Sequence, residues 1–517
     1  MSASREKKNR QELANSGWVD PKVVKEAEQR KKEKRSNAVY GIIAAIFVIV
    51  IAVALIWRSN IIQKNSTAVT VDGTKFTSVE TNFYYQNVFS SFYNNNYYLL
   101  SYLGFDPSTP AQNQTLNSTA AAMLDAEEGM TWHAYFLQET ASEIATLQNG
   151  LKAAEAEGYV YPESVQAEYE DVMSQLKTAA ANSNVSTDEY LTNMLGADMT
   201  EKVYSEHLLK TIQFETYMSS RHDALSYTDA ELEERYAADP SSYDKASYEY
   251  VFINGDPEET KDADGNTVAP TEEEEAAAMA VAKDAANTIL ADLESGKALK
   301  DLAGDFSYSS SESASHTGDI VTDWLFDDTR KEEDSAVLEG TNGYYVVLFH
   351  ERYRETYDTV NVRHILIQPE AGKLASGAEG YEAEQAELKA AAKAKAEDIL
   401  AQWKSGEATE DSFAQLAKEY SSDGSKYIGG LYTRVYQGQM VSEFNDWIFD
   451  ASRNVGDVAI VETTYGYHVM FFSGTDLPRW QAVVSDELAS EEVTAYYESL
   501  SADSKIEQSS FGMQFVG

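Results

Sequence analysis

The chain carries the same strand twice, and that repeat limits its fold more than any other feature. GTNGYYVVLF, Gly340 to Phe349, returns as TTYGYHVMFF, Thr463 to Phe472, the two aligned on Gly343 and Gly466. The likeness runs back up the chain. SYEYVFI, Ser247 to Ile253, matches NVRHILI, Asn361 to Ile367, at an offset of 114 residues. Each is followed by an acidic loop and a helix, AKDAANTILADLESG from Ala282 against AKAEDILAQWKSG from Ala394. LKDLAGDFSYSS then parallels FAQLAKEYSSDG, and WLFDDTR from Trp324 parallels WIFDASR from Trp447 at the 123-residue offset that the terminal strands share. Two copies are too few for a solenoid, which needs three or more repeats to bury a continuous core. The pattern predicts tandem α+β domains, residues 246–356 and 360–475. Each is a strand–helix–helix–helix–strand unit whose first and last strands pair in one small sheet.

A second feature bears on compartment. AVYGIIAAIFVIVIAVALIW, Ala38 to Trp57, has no charged side chain. A helix of about 20 residues spans roughly 30 Å, the thickness of a bilayer core. Residues 1–37 hold eleven Lys/Arg against six Asp/Glu, with RKKEKR directly before the run, whereas the rest of the chain holds thirty against seventy-nine. By the positive-inside rule the tail 1–37 stays in the cytoplasm, residues 38–57 form a single N-terminal transmembrane helix, and everything after Arg58 is exported. A cleaved signal peptide needs a small-x-small site, which WRSNIIQ does not supply. With no cysteine in the chain, disulfides, thiol catalysis and lipid anchoring through cysteine are excluded. The acidic ectodomain argues against nucleic acid, whose phosphates call for clustered Lys/Arg.

Between anchor and repeat, residues 68–244 read as one mostly helical domain. AVTVDGTKFT opens it as strand, Asp72-Gly73 turn and strand. An aromatic-rich run, Asn82 to Phe105, is too dense in rings for one helical stripe, so part of it packs and part is presented. Helical periodicity then runs to Tyr236 with breaks expected at Gly150, at 158–162 and at 182–186. Thr228 and Glu231 have the spacing of a capping box. Residues 476–517 form a helical tail whose docking site the sequence leaves open.

The ionisable residues concentrate in the second copy. His364 lies mid-strand in HILI and His468 mid-strand in GYHVMF, so pairing of the two strands brings both rings to one face. Between them come YSSDGS with Asp423 and GGLYTRVYQGQMVSEFNDWIF. Met440 and Phe444 are four apart, the spacing of one helical face, and can wall an apolar slot. Thr463 precedes His468 by five residues and is expected at the mouth of the closing strand. No nucleophile elbow and no H-E-x-x-H motif is present.

In order and spacing, HILI, YSSD, the GG and GQM-x3-F run and T-x-YGYH resemble the parvulin family of peptidyl-prolyl isomerases, over about Val362 to Phe472. The wider plan resembles extracytoplasmic foldases of the PrsA and SurA type. The resemblance implies a parvulin fold at 360–475, a helical chaperone domain at 68–244 and isomerisation of X–Pro bonds without cofactor or metal. It also implies that His364, His468 and Thr463 form a hydrogen-bonded core beneath the site, with Asp423 beside the reacting amide. Met440 and Phe444 would line the proline pocket. GGLYTRV departs from the family's GGDLG-x-F, so the remaining wall falls to Leu431 or Tyr432. In the first copy His364 and His468 correspond to Tyr250 and Tyr345, and no GQM-x3-F appears, so the domain at 246–356 reads as a degenerate, inactive copy.

The partners so implied are unfolded or newly exported proline-containing polypeptides and, through residues 38–57, a bacterial plasma membrane, with a homodimer left open. Two rivals stand beside the enzyme: a chaperone whose parvulin fold is idle, and a scaffold of a secretion or cell-wall complex.

Overall fold

The computed structural model describes residues 46–51, 60–261 and 267–517. The tail 1–37 lies outside the described residues. So does the run 38–57, except for 46–51, which are helical and exposed. Among the described residues no helix is long and apolar enough to cross a membrane. The chain divides into two compact units, 1–158 with 171–214 and 498–517, and 159–170 with 215–497.

The first unit begins with β1 (Thr67–Val71) and β2 (Thr74–Thr77), an antiparallel hairpin. Asp72 (φ 48°) and Gly73 (φ 85°) make its turn, the left-handed pair that a tight hairpin demands. Thr77 caps α1 (Ser78–Asn95) in a capping box with Glu80. The aromatic run divides as its density suggests. Phe83, Tyr84, Tyr85 and Phe105 are buried, whereas Tyr97, Tyr98 and Tyr102 are exposed.

Helix α2 (Trp132–Glu157) runs straight through Gly150 and ends at left-handed Gly158. The break expected at Gly150 is therefore absent. That glycine serves packing, because a Cβ there would lie 2.2 Å from the ring of Phe214. Gly158, not Gly150, supplies the positive φ that stops the helix.

The end of the tail docks in this unit. Ile506–Gln508 pairs antiparallel with β1, Val69 opposite Gln508. Ser78 Oγ donates to Gly512 O at 2.8 Å, and Asn149 Nδ2 donates to Leu500 O at 2.8 Å.

Two four-stranded sheets of identical connectivity lie in the second unit. In the first, β3 (Lys245–Asn254), β4 (Ser307–Ala314), β5 (Ser335–Gly340) and β6 (Gly343–Tyr353) are ordered β4-β3-β6-β5. In the second, β7 (Asp358–Ile367), β8 (Leu431–Val435), β9 (Val458–Thr463) and β10 (Gly466–Pro478) are ordered β8-β7-β10-β9. All pairs are antiparallel. The first and last strands of each repeat pair centrally, and two shorter strands flank them. Those flanking strands are missing from the strand–helix–helix–helix–strand unit read in the sequence. LYTRV is short and bulged, and VAIVET is the outer arm of a hairpin on β10, so neither shows a full period-2 run.

The second sheet is covered on both faces. Helices α3 (Tyr381–Ser405) and α4 (Glu410–Tyr420) cover one. Ala392, Ala396, Ile399 and Trp403 of α3, at helical spacing, pack with Phe413 on Ile365, Ile367, Val469 and Phe471. On the other face Val360, Val362, Met470 and Phe472 meet Phe444 and Ile448 of α5 (Ser442–Ile448). Strand parity thus assigns the even-numbered positions of β7 and β10 to the α5 side, and both histidines are even.

Candidate active site

The register of β7 and β10 puts His364 opposite Met470 and His468 opposite Leu366. The two imidazoles are therefore diagonal neighbours on one face, the second-closest class of cross-strand pair. Their Nδ1 atoms lie 3.1 Å apart, both rings are buried, and their planes are 22° from parallel.

Thr463 ends β9, where the tight Thr463–Gly466 turn places its Oγ1 at 2.9 Å from His468 Nε2. The same hydroxyl oxygen accepts from Tyr465 N at 3.1 Å. At the other end of the chain His364 Nε2 lies 3.3 Å from both Ser425 Oγ and Asp423 Oδ1. One assignment of protons satisfies every link: Thr463 Oγ1 donates to His468 Nε2, His468 Nδ1 to His364 Nδ1, and His364 Nε2 toward Ser425 and Asp423.

Asp423 caps the short helix Gly424–Ile428. Ser425 N donates to its Oδ1 at 2.8 Å, and Ser425 Oγ donates to the same oxygen. The hydrogen bond from His364, followed by those from Ser425, holds the Asp423 carboxyl well below the usual carboxylate range against the opposing effect of burial. A partly buried anion, its side chain 22% exposed, thus sits at the edge of an otherwise buried network. Ser425 is a member that sequence reading did not pick out. Its signal was the Asp-x-Ser spacing of YSSDGS, the signature of a side chain closing a turn onto a backbone N–H two residues on.

The apolar wall comes from Phe444. Its ring is 2% exposed and meets His364 and His468 edge-on, with centroids at 5.5 and 5.4 Å. Met440 packs against the same cluster, but from the loop ahead of α5 and not from the helix face its four-residue spacing to Phe444 suggested. The helix starts only at Ser442, after the Gly438 turn. Leu431 and Tyr432 separate cleanly. Tyr432 pairs with Val362 and stacks on His364 at 4.8 Å, whereas Leu431 pairs with Arg363 and so takes the opposite side of β8. Gly430 lets β8 approach: its φ is +72°, its carbonyl accepts from His364 N, and a Cβ would lie 2.2 Å from His364 O.

Burial, followed by the nearby His364 ring, lowers the pKa of His468 to about 4. Between the ordinary value near 6.5 and that value the unfolded chain binds a proton that the folded chain refuses. Its contribution to stability is complete above about pH 6.5 and falls by roughly 3 kcal/mol as the pH drops to 4. Asp423 acts in a lower window, its contribution being present above the ordinary carboxylate value and lost below it. An NMR titration of the His468 ring should show no protonation at pH 5.5; a midpoint near 6.5 would contradict the buried network.

The first copy builds the same frame without these groups. Tyr250 pairs with Val347 and Phe252 with Tyr345, the counterparts of the His364–Met470 and Leu366–His468 pairs. The Tyr250 and Tyr345 rings meet edge-on at 5.5 Å. At the 123-residue offset Phe444 becomes Val321 and Met440 becomes Thr317, and at the 114-residue offset Asp423 becomes Ser309.

Residues 344–473 match the model of the PPIC-type PPIase domain. This part of the chain is a parvulin-type peptidyl-prolyl isomerase domain. The match begins in β6 of the first copy and spans the whole of the second sheet up to Ser473. Among solved structures, the chain is similar to the PPIase domain of TBPAR42 at 25% identity, over 22% of this chain and 98% of that one, with a TM-score of 0.17. PrsA from Bacillus subtilis aligns at 13% identity over 76% of this chain and 93% of its own, with a TM-score of 0.28. A SurA-like chaperone of Campylobacter jejuni aligns at 15% identity over 65% of this chain and 78% of its own, with a TM-score of 0.17. No curated protein matches the chain. The domain match carries the assignment; superpositions at these TM-scores add no weight to it.

Proposed function

We propose that the protein is an anchored extracytoplasmic foldase that isomerises X–Pro bonds in unfolded, newly exported chains. The observation that carries the catalytic reading is the joining of Asp423 to the His364–His468–Thr463 chain beneath the Phe444 and Met440 wall. In this reading the pyrrolidine ring enters the apolar slot against Phe444 and Met440, which strips water from the amide. The planar amide owes its barrier of about 18–20 kcal/mol to charge separation, nitrogen toward oxygen, that gives the C–N bond double-bond character. A fixed negative charge at Asp423 beside the carbonyl oxygen disfavours that separation and so favours the twisted state, where the oxygen carries less charge. His364, His468 and Thr463 hold Asp423 in place. A lowering of about 7 kcal/mol gives roughly a 10⁵-fold acceleration.

In the same reading the first copy, with Tyr250 and Tyr345, is not an isomerase. Residues 38–57 anchor the chain in a bacterial plasma membrane with the N-terminus cytoplasmic, a reading supported by the uncharged run and its basic flank. The exposed Tyr97, Tyr98 and Tyr102 of the helical domain offer an apolar surface to client chains. The test is cis–trans relaxation of an X–Pro peptide with the purified chain. Acceleration well above the uncatalysed rate is expected, whereas no acceleration by folded protein would sink the enzyme reading and leave the chaperone and the scaffold.

A further inference from the structure

Tyr432 does more at this site than form a wall. Its hydroxyl donates to Asp423 Oδ1 at 3.0 Å while its ring lies over His364, 29° from parallel. The donors from Ser425 N, Ser425 Oγ and Tyr432 Oη all fall on Oδ1, the oxygen that His364 Nε2 also faces. Oδ2 takes none of these four contacts.

The backbone is arranged for this. β8 keeps register with β7 at Leu431 and Tyr432, then slips by one residue before Val435, with Arg434 at φ +52°. Bulges of this kind re-aim a side chain, and they gather beside active sites. Here the slip follows directly on Tyr432, and Arg434 N is satisfied by Asn361 Oδ1 at 2.9 Å. Burial, followed by the Asp423 charge, pushes the Tyr432 phenol up to about 12, so the hydroxyl keeps its proton and stays a donor.

We infer that Tyr432 is a positioning residue of the isomerase reaction, fixing one oxygen of Asp423 so that the carboxylate presents its charge to the amide in a single orientation. The inference rests on the isomerase reading of this site. It also gives the GGLYTRV segment a purpose: Tyr432 supplies a hydroxyl that reaches across to the carboxylate from the strand on the far side of His364. Hydrogen bonds to a charged group are among the stronger ones.

Tyr432→Phe separates the roles, since it keeps the ring and removes the donor. In the full purified chain it is expected to lower kcat about tenfold with KM little changed. In an Asp423→Ala background the same substitution should add no further loss, because the group that Tyr432 holds is already gone. The His364 Nε2–H resonance should shift in Tyr432→Phe while the backbone amide spectrum of the helical domain stays put. Parental kcat in Tyr432→Phe, additive losses in the double variant, or an unchanged ring resonance would each overturn the inference. If the parent chain shows no isomerase activity, the enzyme reading fails on its own. The ring resonance then decides alone whether Tyr432 holds Asp423.

Discussion

Phe444→Ala should destabilise the second sheet by about 3–5 kcal/mol, the cost of removing a fully buried aromatic ring and leaving its cavity. Phe444 is 2% exposed and packs with Val360, Val362, Ile448, Met470 and Phe472. Its edge contacts with both imidazoles add about 0.5–1.5 kcal/mol per aromatic pair beyond the area it buries. The effect should be local. Hydrogen exchange at β7 and β10 should accelerate, with little change at α2, because sub-global opening follows the contacts that are lost. Activity should fall with it even at temperatures where the domain stays folded, since the ring touches both imidazoles and, in the proposed mechanism, also walls the proline slot. Phe444→Leu, which refills most of the volume, should recover most of the stability. A loss under about 1 kcal/mol for Phe444→Ala would mean that the α5 face is not the tightly packed core described here.

The second large effect is on catalysis. Asp423→Ala should cut kcat/KM by roughly 100-fold, about 3 kcal/mol, the size expected when one preorganised charge or donor is taken from a site that acts by electrostatics. Stability should fall by about 1–2 kcal/mol near neutral pH, because Asp423 caps the helix Gly424–Ile428 and its ionised carboxyl is stabilised by the fold. The buried Ser425 hydroxyl loses its acceptor in this variant, so each activity is read beside a check of folding. The result to watch is the partition. A fall in kcat with KM nearly unchanged places Asp423 in the transition state, whereas a rise in KM alone would make it a binding contact.

The repeat was legible because two strand sequences and three helix sequences recur in order, and structure then needs only one solution for both. The face shared by His364 and His468 was legible from period-2 alternation once their strands were taken as partners. What the sequence hid has physical reasons. β8 is a five-residue edge strand broken by a bulge at Arg434, so its alternation fails within the window that would reveal it. For the same reason Leu431 and Tyr432 could not be told apart: only the pairing of Tyr432 with Val362 decides which faces His364. Ser425 acts through a turn of three residues, below the reach of periodicity. Gly150 read as a helix stop because glycine is costly inside helices, yet its contact is with Phe214, more than sixty residues away in sequence. Met440 kept its place at the wall for a different reason from the one its spacing gave, since it enters from a loop.

The central claim is that one copy of the repeat carries a working site and the other keeps only the frame. The most direct measurement is isomerisation of an X–Pro peptide by the full chain, its Asp423→Ala variant and its Tyr345→Ala variant, each checked for folding by hydrogen exchange. The account predicts activity in the parent, near-complete loss in Asp423→Ala and parental activity in Tyr345→Ala. Equal activity in parent and folded Asp423→Ala, or loss in a folded Tyr345→Ala, would contradict it.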